Sequence, residues 1–114
     1  MAKIPFITTI KNRFGEEVQE RDPTNPKETK AVTVGTVCVN VLDTTLPSDQ
    51  SEKLKDKMRR WDLIKAITAS EESFTPAEIL DSDVDYLCAR IGTTGMSAQV
   101  IGFVVEHLQA SKTP

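Results

Sequence analysis

Residues 32–42, VTVGTVCVNVL, decide the fold class. Five of the eleven are valine, and branched side chains suit a pleated, half-buried strand. The spacing argues otherwise. Val34, Val37, Cys38, Val41 and Leu42 fall at i, i+3, i+4, i+7 and i+8, one face of a helix. Thr36 and Asn40 break strict alternation, and Thr33 stands where an N-cap belongs. Gly35 weakens the helix by about 1 kcal/mol. The spacing therefore predicts a helix here, with a strand as the alternative.

Upstream, residues 4–10 (IPFITTI) are rich in β-branched types and read as a strand. Asn12 and Gly15 supply turn chemistry after it, and residues 16–20 can return as a second strand. A lone hairpin is marginal in water, so it must lean on helices or pair with another copy. Residues 21–31 (RDPTNPKETKA), with two prolines, read as a mobile loop.

Downstream, Ser48 or Asp49 caps a helix expected over 49–69. It carries two apolar stripes, Leu54–Met58–Trp61 and Leu63–Ile64–Ile67, displaced by more than about a third of a turn. Its two halves are therefore expected to touch different neighbours, and the sequence leaves Trp61 between core and contact. Thr75-Pro76-Ala77-Glu78 has the form of a helix start, with Asp81 and Ser82 as a second cap. Val84, Leu87, Cys88 and Ile91 follow with helical spacing, and Gly92 fits a left-handed residue after the helix. Ser97 caps a last helix over about 97–110, with Val100, Ile101, Val104, Val105 and Leu108 on one face. The tail 111–114 is expected to be disordered. The fold class is α+β: an N-terminal β-hairpin (1–20) followed by a compact bundle of about four helices.

At 114 residues there is room for one domain. Six aromatic residues leave the core to Val, Ile and Leu. A net charge of −3 argues against a dedicated nucleic-acid binder, which neutralises phosphates with cations. Cys38 and Cys88 sit in apolar periodic segments and read as buried free thiols rather than a disulfide. No leader pattern opens the chain and no apolar run is long enough for a membrane, so the expected place is the cytoplasm.

No catalytic, metal or cofactor motif emerges. Asp81-Ser82-Asp83-Val84-Asp85 imitates the opening of a calcium loop, but Tyr86 and Gly92 occupy the positions that need Gly and Glu. Carboxylates in a first helical turn explain it better. His107 is the only histidine, and a zinc site or a catalytic triad would have to be built on it without the usual spacings. Gly92-Thr93-Thr94-Gly95 lacks the lysine and spacing of a phosphate loop. The expectation is a non-enzyme with no cofactor and no metal.

What remains is charge. Residues 51–65 hold six Lys/Arg against three acids, and residues 71–91 hold six acids against one Arg. Lys53, Lys57 and Arg60 share a helix face, flanked by Arg59 and Trp61. These five are the candidate partner-binding residues, since Trp and Arg concentrate binding energy. The plainer reading is a solvated helix face on which the acids from Glu52 to Asp56 and the neighbouring lysines make ordinary i,i+4 pairs.

The opening IPFITTIKNRFGEEV, the segment VTVGTVCVNVL, the helix with RRWDLIKAI and the closing TPAEI…LCARIGTTGMSAQVIGFVVEHL together resemble small bacteriophage-encoded proteins of unassigned function. The resemblance spans roughly three quarters of the chain and carries no diagnostic motif. It implies a product acting inside an infected bacterium, with a hairpin-like first segment and a helical remainder. The expected function is a phage or prophage interaction module that binds a host or viral protein, or its own copies in a homo-oligomer. The alternatives are a small DNA-binding accessory protein using Lys53, Lys57, Arg59 and Arg60, and a virion assembly component.

Overall fold

The valine-rich segment is a helix, α1, Val34–Asp43, as its spacing predicts. Val34, Val37, Cys38, Val41 and Leu42 are all buried on one side. Thr33 Oγ1 caps it by accepting from Thr36 N at 3.1 Å. The next free helix amides are met from the N-terminal segment: Val34 N donates to Thr8 O at 2.9 Å and Gly35 N to Phe6 O at 2.8 Å. Those carbonyls satisfy amides that a helix leaves open at its start.

The computed structural model describes residues 1–22 and 24–112. Around α1 the chain runs β1 (Ala2–Ile4), β2 (Gln19–Asp22), β3 (Asn25–Ala31), α1, a 3₁₀ helix (Pro47–Ser51), α2 (Leu54–Ser73), β4 (Ala77–Ile79), α3 (Asp81–Gly92) and α4 (Ala98–Ala110). The class is α+β: two small antiparallel sheets, β1–β4 and β2–β3, with four α-helices.

The hairpin lies elsewhere than expected. Of residues 4–10 only Ile4 is in a strand, and β1 pairs with β4 across the chain, Ala2 with Ile79 and Ile4 with Ala77. The turn at Asn12–Gly15 does form: Gly15 has φ +80°, and Asn12 N donates to Glu16 O at 2.8 Å. Strand pairing beyond it is confined to the single bridge Lys11–Glu17. The regular hairpin is β2–β3, so most of the segment expected as a loop is strand, in Gln19–Asp22 and Asn25–Ala31. Its cross-strand pairs include Glu20 opposite Lys30, an opposite-charge pairing that suits an antiparallel ladder. Both strands of a two-stranded sheet have an open edge, where a proline is tolerated. The base of this hairpin is tied by a ring of three backbone bonds: Ile10 N to Val32 O, Val32 N to Val18 O and Val18 N to Ile10 O, each 2.8 Å.

Three helix boundaries also move. The segment 49–53 is not the start of α2, because Asp49 turns inward within the 3₁₀ helix; Lys53 is the N-cap, and α2 runs on to Ser73. Thr75-Pro76-Ala77-Glu78 opens no helix. Ser70 Oγ donates to Thr75 O, and Pro76 disfavours helical geometry in the residue before it. Ala77 and Ile79 are then buried either side of exposed Glu78, matching buried Ala2 and Ile4 around exposed Lys3. Burial of that alternating pair outweighs the local capping signal, and α3 starts at Asp81. Gly92 is not left-handed; the hydroxyls of Thr93 and Thr94 end α3 by donating to Arg90 O at 2.7 Å and Ile91 O at 2.8 Å. Among the described residues, the left-handed non-glycine residue is Phe74, φ 55°, directly after α2.

The last helix is as expected, capped by Ser97 and burying Val104 and Leu108. Phe103 stacks on His107, which is 3.2 Å from Pro5 O and so ties α4 to the N-terminal segment. Of the expected disordered tail, Ser111 bonds His107 O at 2.9 Å and Lys112 reaches Asp85 at 2.8 Å, whereas residues 113–114 lie outside the described residues. Pro23, within the expected loop, also lies outside them. Among the described residues, no helix is long and apolar enough to cross a membrane.

Candidate functional site

The two stripes of α2 face opposite ways. Leu63 and Ile67 are 5% and 0% exposed and pack in the core, with Ser70 buried beside them. Leu54, Met58 and Trp61 are 75%, 47% and 51% exposed. At about 100° per residue, Leu54 and Leu63 point in opposite directions, so one helix cannot bury both sets in a single core. Trp61 therefore lies at the surface, where the Lys65 ammonium sits 5.7 Å from its ring centroid.

An apolar groove of about 910 Å³ runs along this surface, between α2 and the segment Glu78–Asp83. Leu54 and Met58 line one wall; Ile79 and Leu80 line the other, with Met1 at the edge. Leu80 is itself 54% exposed. Seven large hydrophobic residues are exposed among the described residues, and four of them (Met1, Leu54, Met58, Leu80) meet in this one groove. Exposed apolar groups that cluster mark interaction sites, whereas scattered ones carry no such meaning.

The predicted cations divide into two sets. Lys53 and Lys57 are exposed, as is Lys55 between them, and among the described residues none of the three is in an ion pair. Arg59 and Arg60 turn toward the protein. Arg59 Nη2 lies 2.7 Å from Asp83 Oδ1, and its guanidinium covers the Tyr86 ring at 4.1 Å. That is the point at which the basic 51–65 segment meets the acidic 71–91 segment within one chain. Arg60 is spent on structure: it donates to Leu42 O and to Glu52 Oε1, both at 2.8 Å, and to Thr44 O at 3.3 Å. Only Lys53, Lys57 and Trp61 of the five candidates present a free head or ring to solvent, and Lys55 joins them.

Asp49 and Arg90 form a buried polar centre where the 3₁₀ helix meets α3 and the end of α1. Asp49 also accepts from Leu46 N at 2.8 Å, and Arg90 donates to Thr44 O at 3.0 Å. The Arg90 hydrogen bonds hold the Asp49 carboxyl down at about 2, helped by Leu46 N and the Arg60 charge and opposed by burial. This cluster pins the 3₁₀ helix to α3 and so fixes where α2 begins.

The remaining candidates for chemistry are apart. Cys38 is buried and Cys88 half-buried, both as free thiols, with burial the main cause that raises each above the ordinary thiol value. Asp81, Asp83 and Asp85 lie in and after the first turn of α3, where Asp83 pairs with Arg59 and Asp85 with Lys112. Among the described residues, no group of three or more His, Cys, Asp or Glu side chains is placed to hold a metal ion.

Sequence reasoning missed the second wall of the groove. The capping signal at Thr75-Pro76-Ala77-Glu78 puts Ile79 and Leu80 in a helical turn, and only the β1–β4 pairing sets them opposite α2. No signal in the sequence marks Met1 as their neighbour. Comparison with protein-family models, with curated proteins and with solved structures found no match to the chain.

Proposed function

We propose that this protein is a non-enzymatic interaction module that binds a protein partner through the outward face of α2. The observation that carries the reading is the convergence of Leu54, Met58, Leu80 and Met1 on one open groove. The core stripe of α2 is satisfied by other residues, so folding does not require these groups at the surface. Met side chains adapt to differently shaped partners, which suits such a groove. The unpaired Lys53, Lys55 and Lys57 call for a partner that is apolar at its centre and acidic at its margin. The resemblance to small phage proteins makes that partner a host or viral protein, or another copy.

The DNA-binding alternative has less to stand on. Two of its four cations, Arg59 and Arg60, are engaged with Asp83 and with Glu52 and backbone carbonyls. Few phosphate contacts would be left to them.

Met58→Glu tests the reading, because Met58 is exposed and outside the core. Immobilised wild-type protein is expected to retain a protein from bacterial lysate after nuclease treatment. Met58→Glu is expected to lose it with an unchanged melting temperature. Equal retention by both proteins would overturn the reading, and recovery of nuclease-sensitive material alone would restore the DNA-binding one.

A further inference from the structure

We infer that the surface occupying the outward face of α2 is the same face of a second copy, with the two helices antiparallel about a two-fold axis near Trp61 and Lys65. This rests on the proposed function and names its partner.

The outward stripe of α2 is asymmetric along its length. Its first half is apolar and cationic: Leu54, Met58 and Trp61, with Lys53, Lys55 and Lys57 beside them. Its second half offers what that half lacks. Ala69 and Thr68 are exposed and small, Glu72 is exposed on the line of Leu54 about five turns on, and Phe74 is 76% exposed.

Antiparallel pairing sets each half against the other. Leu54 meets the Glu72–Phe74 end of the second copy, and Met58 lies over its Thr68 and Ala69, where small residues let the helices approach. The three lysines meet the Glu72 end. Near the axis, Trp61 of each copy faces Lys65 of the other, extending a contact that each chain already makes within itself. Two-fold interfaces need this property: a patch that complements itself when turned end for end. A parallel arrangement would instead set lysine against lysine and glutamate against glutamate.

The strip spans one helix and its groove, a small area beside the roughly 800 Å² per partner of a stable complex. The dimer is therefore expected to dissociate on the order of micromolar concentration.

Sedimentation equilibrium on the full chain across that range tests the inference. Wild type is expected to dimerise. Glu72→Lys, which sets cation against cation at both ends, is expected to weaken the dimer about tenfold or more. Adding Lys55→Glu and Lys57→Glu to the same chain is expected to restore it, because the reversed ends still complement each other. A wild type that stays monomeric overturns the inference, as does a dimer indifferent to Glu72→Lys or one the triple variant fails to rescue. Monomeric wild type with a lysate partner lost in Met58→Glu would leave the proposed function standing with a foreign occupant. Monomeric wild type with no such partner would remove both.

Discussion

Arg90 holds Asp49 by two points in the protein interior, with Nη1 2.9 Å from Oδ1 and Nη2 3.1 Å from Oδ2. Both residues are buried, and they join α3 to the 3₁₀ helix across 41 residues of sequence. Removing one partner of a buried ion pair strands the other charge. Asp49→Ala is therefore expected to cost about 3–5 kcal/mol, checked by urea unfolding.

The same pair sets a pH dependence. The folded-state value of Asp49, about 2, lies below the ordinary carboxylate value, so the unfolded chain binds the proton more readily. Its contribution is present above the ordinary value and is lost as pH falls toward the folded one. Melting curves of wild type and Asp49→Asn are expected to differ most near neutral pH and to converge between about pH 4 and 2.

Glu71 has the opposite sign. Burial raises its carboxyl, against the Thr33 hydrogen bond and the Lys30 charge. A raised folded-state value means that the favourable contribution is complete below the ordinary carboxylate value and fades as pH rises through the folded one. Glu71→Gln, which keeps an acceptor for Thr33, is expected to melt higher than wild type at neutral pH, with the gain gone below about pH 4.

Gly35 explains why Glu71 can sit there. A Cβ on Gly35 would overlap the Glu71 carboxylate. Gly35→Ala alone is expected to yield less than the roughly 1 kcal/mol that helix propensity offers. Gly35→Ala with Glu71→Ala is expected to recover more than the two single effects sum to, a coupling that a double-mutant cycle reads.

Trp61 and Leu63 are two residues apart and should behave oppositely. Leu63→Ala empties a core position and is expected to cost about 2–5 kcal/mol. Trp61→Ala, at a half-exposed surface position, is expected to shift stability by less than about 1 kcal/mol. Unfolding of Trp61→Ala would show that the ring is part of the core and would remove it from the interaction surface.

The helical nature of 34–43, its Thr33 cap, the closing helix with Ser97, and the presence of two stripes on α2 were all legible in the sequence. Each is a local matter, since spacing and caps act within a turn or two. The face of α2 that turns outward was not legible, because both stripes are apolar and only the packing of Leu63 and Ile67 decides between them. Arg60 illustrates the same limit: its charge reads as surface, yet the carbonyls of Leu42 and Thr44 draw it inward. The fate of residues 75–80 also lay beyond local signals. A capping motif was present there, but β1, more than seventy residues upstream, offered buried partners for Ala77 and Ile79. Sequence determined the segments that are helical by their periodicity. Tertiary structure decided which apolar groups were left over at the surface, because burial depends on partners that are distant in the chain.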